Sequence, residues 1–153
     1  MAELAFYQLR TSSLENALCT LLQKALDSNH RVRVISGSDE RISSLSLALW
    51  TQNAGSFLAH GTISDDNYQD HPILLTTEQQ DITENRNNAD VVIAIDGAKP
   101  IFIDGVSRYL DIFDGNSETA RSEARNRWVN YKADDHSLTF WKQGEGGAWL
   151  KQK

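Results

Sequence analysis

"ADVVIAIDG", residues 89–97, decides the fold. Its five central residues are apolar without interruption, and four of them are β-branched. A continuous apolar run of that length fits a strand buried on both faces, which is the situation of a central strand in a parallel sheet. The Asp96-Gly97 pair closes it with turn chemistry: Asp bonds its own backbone and Gly supplies positive φ.

Working outward, the chain alternates strands with helices. "AFYQL" (5–9) reads as a strand, and "TSSLENALCTLLQKALDSNH" (11–30) as a helix. In that helix Leu14, Ala17, Leu18, Leu21, Leu22, Ala25 and Leu26 recur at helical spacing, forming one apolar face. Ser12 and Glu15 are spaced as a capping box, and Asn29 with His30 marks the stop. "RVRVIS" (31–36) is a strand, and "GSDERISSLSLALWTQ" (37–52) a helix entered through Gly37 and Ser38. Beyond a polar loop at 63–72, "ILLTT" (73–77) is a short buried strand, and "EQQDITENRNN" (78–88) is either a short helix or a loop. "RYLDIFDG" (108–115) is a strand, residues 116–133 a helix with Ser117 as N-cap, and "SLTFWKQ" (137–143) the last strand. The expectation is an α/β, single-domain, Rossmann-like fold. It has a mainly parallel sheet, helices on both faces and no phosphate-binding loop. The domain is expected to span 1–143, with 144–153 a flexible end.

Composition narrows the function. The chain of 153 residues has a globular balance of 40% hydrophobic and 24% charged residues. A net charge of −6 argues against a large phosphate-binding footprint, while leaving room for a local basic patch. Cys19 is the sole cysteine and sits in the apolar rhythm of a helix, so it reads as a small buried side chain. No apolar run approaches the roughly 18 residues of a membrane span, and "MAELAFYQLR" lacks a signal-peptide pattern. A cytoplasmic protein is expected.

The search for chemistry finds little. Neither "LRTSSLEN" (9–16) nor "ISGSDERI" (35–42) has the glycines of a dinucleotide fingerprint or the G-K-[ST] of a phosphate loop. Asp96, Asp104, Asp111 and Asp114 lie near strand ends, where carboxylates can hold Mg²⁺ for phosphoryl transfer. Asp-Gly turn punctuation explains the same residues, and the metal-dependent enzyme stands as the alternative. His30, His60, His71 and His136 show no ligand spacing. No catalytic residue, metal site or cofactor is expected.

The helix over 116–133 says more. Arg121, Arg125, Trp128 and Lys132 fall along one face, with Ala120, Ala124 and Tyr131 in a neighbouring stripe suited to packing on the sheet. Basic residues around an aromatic suit an acidic ligand with an apolar anchor. A solvated charged face, with Glu118 and Glu123 as local partners, is the other reading. "LWTQNAGSFLAHG" (49–61) sets Trp50 and Phe57 on either side of a polar loop, as core residues or as a partner surface.

Together, "FYQL", "RVRVI", "LWTQNAGSFLAHG", "HPILLT", "ADVVIAIDG", "RYLDIFDG" and "ARNRWVNYK" resemble the chi subunit of bacterial DNA polymerase III. The resemblance covers nearly the whole chain in order. The "LWT" and "SFLAHG" pieces with "ARNRWVNYK" are its most specific parts. It implies a Rossmann-like, non-catalytic clamp-loader accessory protein that pairs with a small psi subunit. It further implies binding of the acidic, Phe-ended C-terminal tail of single-stranded-DNA-binding protein, and in some bacteria a repair helicase as partner. Nucleic acid would be contacted only indirectly, and no membrane is involved. Carried over by residue, the tail site falls on Arg121, Arg125 and Trp128, with Lys132 beside them. Trp50 and Phe57 fall on the psi or helicase surface. Two departures stand out: Ala59 replaces a common Pro, and Val129 replaces a Lys found in some relatives, removing a charge from the tail site.

Overall fold

The computed structural model describes residues 3–51, 60–62, 70–78, 87–100, 102 and 105–152. Eight strands form one sheet: β1 (Glu3–Leu9), β2 (Val32–Ser36), β3 (His60–Thr62), β4 (Ile73–Thr77), β5 (Val91–Ile95), β6 (Arg108–Asp114), β7 (Ser137–Gln143) and β8 (Trp149–Gln152). The helices are α1 (Leu14–Asp27), α2 (Asp39–Thr51) and α3 (Glu118–Ala133). The strand order is β3-β4-β2-β5-β6-β1-β7-β8. Every neighbouring pair is parallel except β7 with β8.

β5 lies inside the sheet, as its uninterrupted apolar run predicts, and it feeds both cores by simple alternation. Val91, Ile93 and Ile95 join the core under α1 and α2, while Val92 and Ala94 join the core under α3. Helices therefore cover both faces. α1 buries Ala17, Leu18, Cys19 and Leu22 along the expected stripe. α3 buries only Ala124, Arg127 and Tyr131.

Helix ends are set by side chains. Ser117 caps α3 by accepting from Ala120 N at 3.1 Å, as expected. At α1 the cap is Ser13, which accepts from Asn16 N at 3.2 Å, one residue later than the expected Ser12. Ser12 is held instead by Gln143, and Glu15 turns outward to Arg41 at 2.7 Å. Asn29 closes α1 in the left-handed region, at φ 63.

Two strands were not foreseen. β3 extends the sheet at one end through His60, Gly61 and Thr62. At the other end, residues within the segment 144–153, expected to be a flexible end, form β8. Gly144 N–H donates to the Ala148 carbonyl at 2.8 Å and turns the chain back, so that Trp149 reaches Tyr7 edge-on at 5.0 Å. Packing of that partly buried indole anchors a segment expected to be flexible. Most of 78–88 lies outside the described residues.

Candidate functional site

The sheet has a switch point between the adjacent strands β1 and β6. The chain leaves β1 for α1 on one face and leaves β6 for α3 on the other. In open α/β sheets this is where nucleotides bind. A crevice of about 620 Å³ lies there, lined by Ser13, Glu15, Arg41, Asp96, Asp114 and Glu123 among others. Arg41 spans it, bonding Glu15 and Asp96 at 2.7 Å each.

Beside this crevice the chain fills a backbone nest of its own. The N–H groups of Arg10, Thr11 and Ser12 converge on one atom, Gln143 Oε1, at 3.0, 2.9 and 3.0 Å. Three successive donors around one oxygen form an anion-binding nest. Here the chain's own buried glutamine fills it, and Gln143 Nε2 donates to Ser12 Oγ at 2.8 Å.

Of the aspartates expected near strand ends, Asp111 instead lies in the middle of β6, and the three described ones are engaged in structure. Asp111 accepts from Arg127 twice, Nε to Oδ2 at 2.6 Å and Nη2 to Oδ1 at 2.9 Å, with both side chains buried. Burial pushes the Asp111 carboxyl up against the pull of Arg127. Tyr131 alongside is pushed up to about 12, by burial first and the Asp111 charge next. Asp96 sits at φ 54 and holds Arg41, and Asp114 Oδ1 accepts from Asn116 N at 2.9 Å. Asp104 lies outside the described residues. Among the described residues no group of three or more His, Cys, Asp and Glu side chains is arranged around a common point for a metal. Burial raises the Cys19 thiol, with Glu15 adding to it, which disfavours the reactive thiolate.

The residues that converge lie on the α3 face. A groove of about 790 Å³ runs between α3 and the β1-β7-β8 end of the sheet. Its floor is apolar: Phe6, Phe113, Leu138 and Phe140, with Trp128 dropping from the helix. The indole meets Phe6 edge-on at 5.2 Å and Phe140 at 6.0 Å. Four cations line the groove, Arg121, Arg125, Lys142 and Lys151, and among the described residues no Asp or Glu does. None of the four has an ion pair with a carboxylate of the described residues. Glu118 and Glu123 therefore do not neutralise the helix stripe. Arg121 Nη1 donates to the Gly115 carbonyl at 3.1 Å, which steadies it at the helix start. Lys142 Nζ lies 5.9 Å from the Phe140 ring centre.

The structure thus brings Arg121, Arg125 and Trp128 into one groove, and leaves Lys132 exposed on α3 away from its lining. Sequence reasoning missed Phe6, Phe113, Phe140 and Lys142, which arrive from strands. The signal for two of them was available: Phe140 and Lys142 are two apart in "SLTFWKQ", so they share a face of a strand. Val129 lines the groove with 63% of its surface exposed.

A second exposed apolar spot lies on the other face. Leu47 and Trp50 on α2 are 64% and 52% exposed, and the Trp50 ring centre is 4.6 Å from that of His60. His60 is buried and its Nε2 is 2.9 Å from Ser46 Oγ, which fixes it as the indole's support. Phe57 lies outside the described residues.

A family model described as DNA polymerase III chi subunit, HolC, matches residues 1–139. The chain belongs to that chi family. A protein called "Probable DNA polymerase III subunit chi" from Rickettsia prowazekii (strain Madrid E) is 26% identical over 113 residues. The match takes in 74% of this chi-family chain but 66% of the relative, so the chain spans just under two thirds of that protein's length. A solved structure, the C-terminal part of the Fun30 ATPase domain, overlaps 79% of this chain and 54% of its own at 14% identity, with a TM-score of 0.46. That likeness is too slight to bear on fold or function. The family's description is that of a subunit of DNA polymerase III. Among the described residues no helix is long and apolar enough to cross a membrane.

Proposed function

We propose that this chain is a non-catalytic adaptor of the DNA polymerase III clamp loader, and that its α3 groove binds the acidic, Phe-ended C-terminal tail of single-stranded-DNA-binding protein. One observation carries the reading: a protein of net charge −6 devotes a groove with four cations and, among the described residues, no carboxylate to an aromatic floor. The terminal Phe ring enters among Phe6, Trp128 and Phe140. Arg125 forks onto the terminal carboxylate, and Arg121 attracts the tail's aspartates. Steering by these exposed charges falls off over roughly 8–10 Å at physiological salt, so affinity should weaken as salt is raised.

Trp50, with Phe57, is the surface for a psi-type subunit or a repair helicase. Its exposure on α2 supports this, since aromatic anchors supply much of the energy at such contacts. α2 packs on the opposite face of the sheet from the α3 groove, so both ligands can be held at once. That is the geometry an adaptor needs.

The test is titration with a fluorescent peptide ending in Asp-Ile-Pro-Phe, alongside an amidated peptide and Arg125→Ala. Saturable binding is expected, reduced about ten-fold or more by either change, since a charge-assisted hydrogen bond is worth ~1.5–3 kcal/mol. Binding that ignores both changes would overturn the groove assignment.

A further inference from the structure

We infer that the strand side of the groove, with Lys142 at its centre, reads the acidic residues that precede the peptide's terminal apolar residue. The inference rests on the tail-binding reading above and adds a direction to it: the peptide crosses from α3 toward the β7–β8 edge.

Three observations lead there. First, the helix side of the groove presents Arg121 and Arg125 but turns apolar at Val129, whose exposed side chain offers no charge to an acidic segment. Second, Lys142 faces the groove from the floor strand. It shares a face with Phe140 by strand alternation, and its Nζ lies 5.9 Å from that ring's centre. The ring's attraction for a cation holds the ammonium beside the apolar floor while leaving its donors open. Third, among the described residues β8 is the outermost strand on this side, which leaves an extended peptide an exit there. Lys151 and Gln152 of β8 lie at that exit. Lys151 pairs with Trp141 in the β7–β8 register and so starts from the other face, which makes it the rim and Lys142 the wall.

A terminal carboxylate held by Arg125 and a ring held among the floor aromatics leave the upstream residues a basic path out along the strand side, over Lys142, in addition to Arg121 on the helix side. On the helix side Val129 itself offers no charge, and Lys132, one turn on, lies outside the groove's lining. Lys142 is thus a specificity residue: it distinguishes an acidic tail from a neutral one with the same terminal residues, and it supplies from a strand the charge that position 129 lacks on the helix.

The test uses the full chain and two fluorescent peptides with the same terminal Ile-Pro-Phe, one preceded by three aspartates and one by three serines. Lys142→Ala is expected to weaken the acidic peptide about three-fold and leave the serine peptide unchanged, the size of one partly exposed ion pair. Arg125→Ala should weaken both peptides. Val129→Lys should strengthen the acidic peptide and restore its binding in the Lys142→Ala background. If Arg125→Ala lowers binding while Lys142→Ala treats both peptides alike, the assignment of Lys142 is overturned and the groove reading stands. If neither substitution matters, the groove reading itself fails. Circular dichroism of each variant checks that the fold is intact, which the exposure of Lys142 leads one to expect.

Discussion

Replacing Asp111 by Leu or Arg127 by Met should be among the most destabilising polar changes in this protein. Asp111 lies on β6 inside the sheet, and Arg127 on the buried side of α3, so their two hydrogen bonds of 2.6 and 2.9 Å tie the helix to the floor of the groove. Their side chains are 6% and 5% exposed. Removing one partner leaves the other buried without its counter-charge, which typically costs ~3–5 kcal/mol. For a domain of this size each kcal/mol moves Tm by about 2–4 °C, so each single variant should melt roughly 6–20 °C lower. Replacing both at once, as Asp111→Leu with Arg127→Met, removes the stranded charge and should recover much of that loss. The assay is urea and thermal unfolding of the four proteins in a double-mutant cycle. Single variants within ~1 kcal/mol of the parent, or effects that simply add, would refute the argument that burial makes this pair interdependent. The same pair bears on the rival reading as a metal-dependent enzyme, because the buried Arg127 guanidinium occupies one lone pair on each Asp111 oxygen and already supplies its counter-charge, which disfavours a cation there.

Two further outcomes follow from other contacts. Gln143→Ala should cost about 2 kcal/mol in urea unfolding by stranding the partly buried N–H groups of residues 10–12, whereas Gln143→Glu keeps the acceptor and should lose less than ~1 kcal/mol; an alanine variant as stable as the parent would show that water replaces the amide freely. Burial acts to raise the Asp90 carboxyl, yet the His30 contact at 2.5 Å and the Arg31 N–H bond at 2.8 Å outweigh it and hold the group below its ordinary value. A depressed carboxylate contributes stability above its unfolded pKa that is lost as pH falls through the folded one. The stability gap between the parent and Asp90→Asn should therefore shrink from about pH 5 downward, and a gap independent of pH would sink this assignment.

What was legible in the sequence is what chain neighbours decide. The uninterrupted run 91–95 marked a strand covered on both faces, and α1's apolar stripe marked the side it would bury. The spacing of Arg121, Arg125 and Trp128 placed them along one helix edge, because residues three, four and seven apart share a face whatever surrounds the helix. Arg127 was passed over for a related reason: charge usually means solvent, and only the presence of Asp111 beneath α3 makes its burial affordable.

Strand order is a different matter. Nothing local says that β1 lies between β6 and β7, yet that placement brings Phe6, Phe113 and Phe140 together under Trp128. It also sets Lys142 across from the arginines and Gln143 against a turn more than 130 residues earlier. Sheet neighbours are chosen by pairing between strands distant in sequence, a long-range competition that periodicity does not encode. The sequence by itself determined the α/β class, the central strand and the helix half of the groove. Its aromatic floor, its second wall and the plugged nest beside the switch point were decided only by tertiary structure.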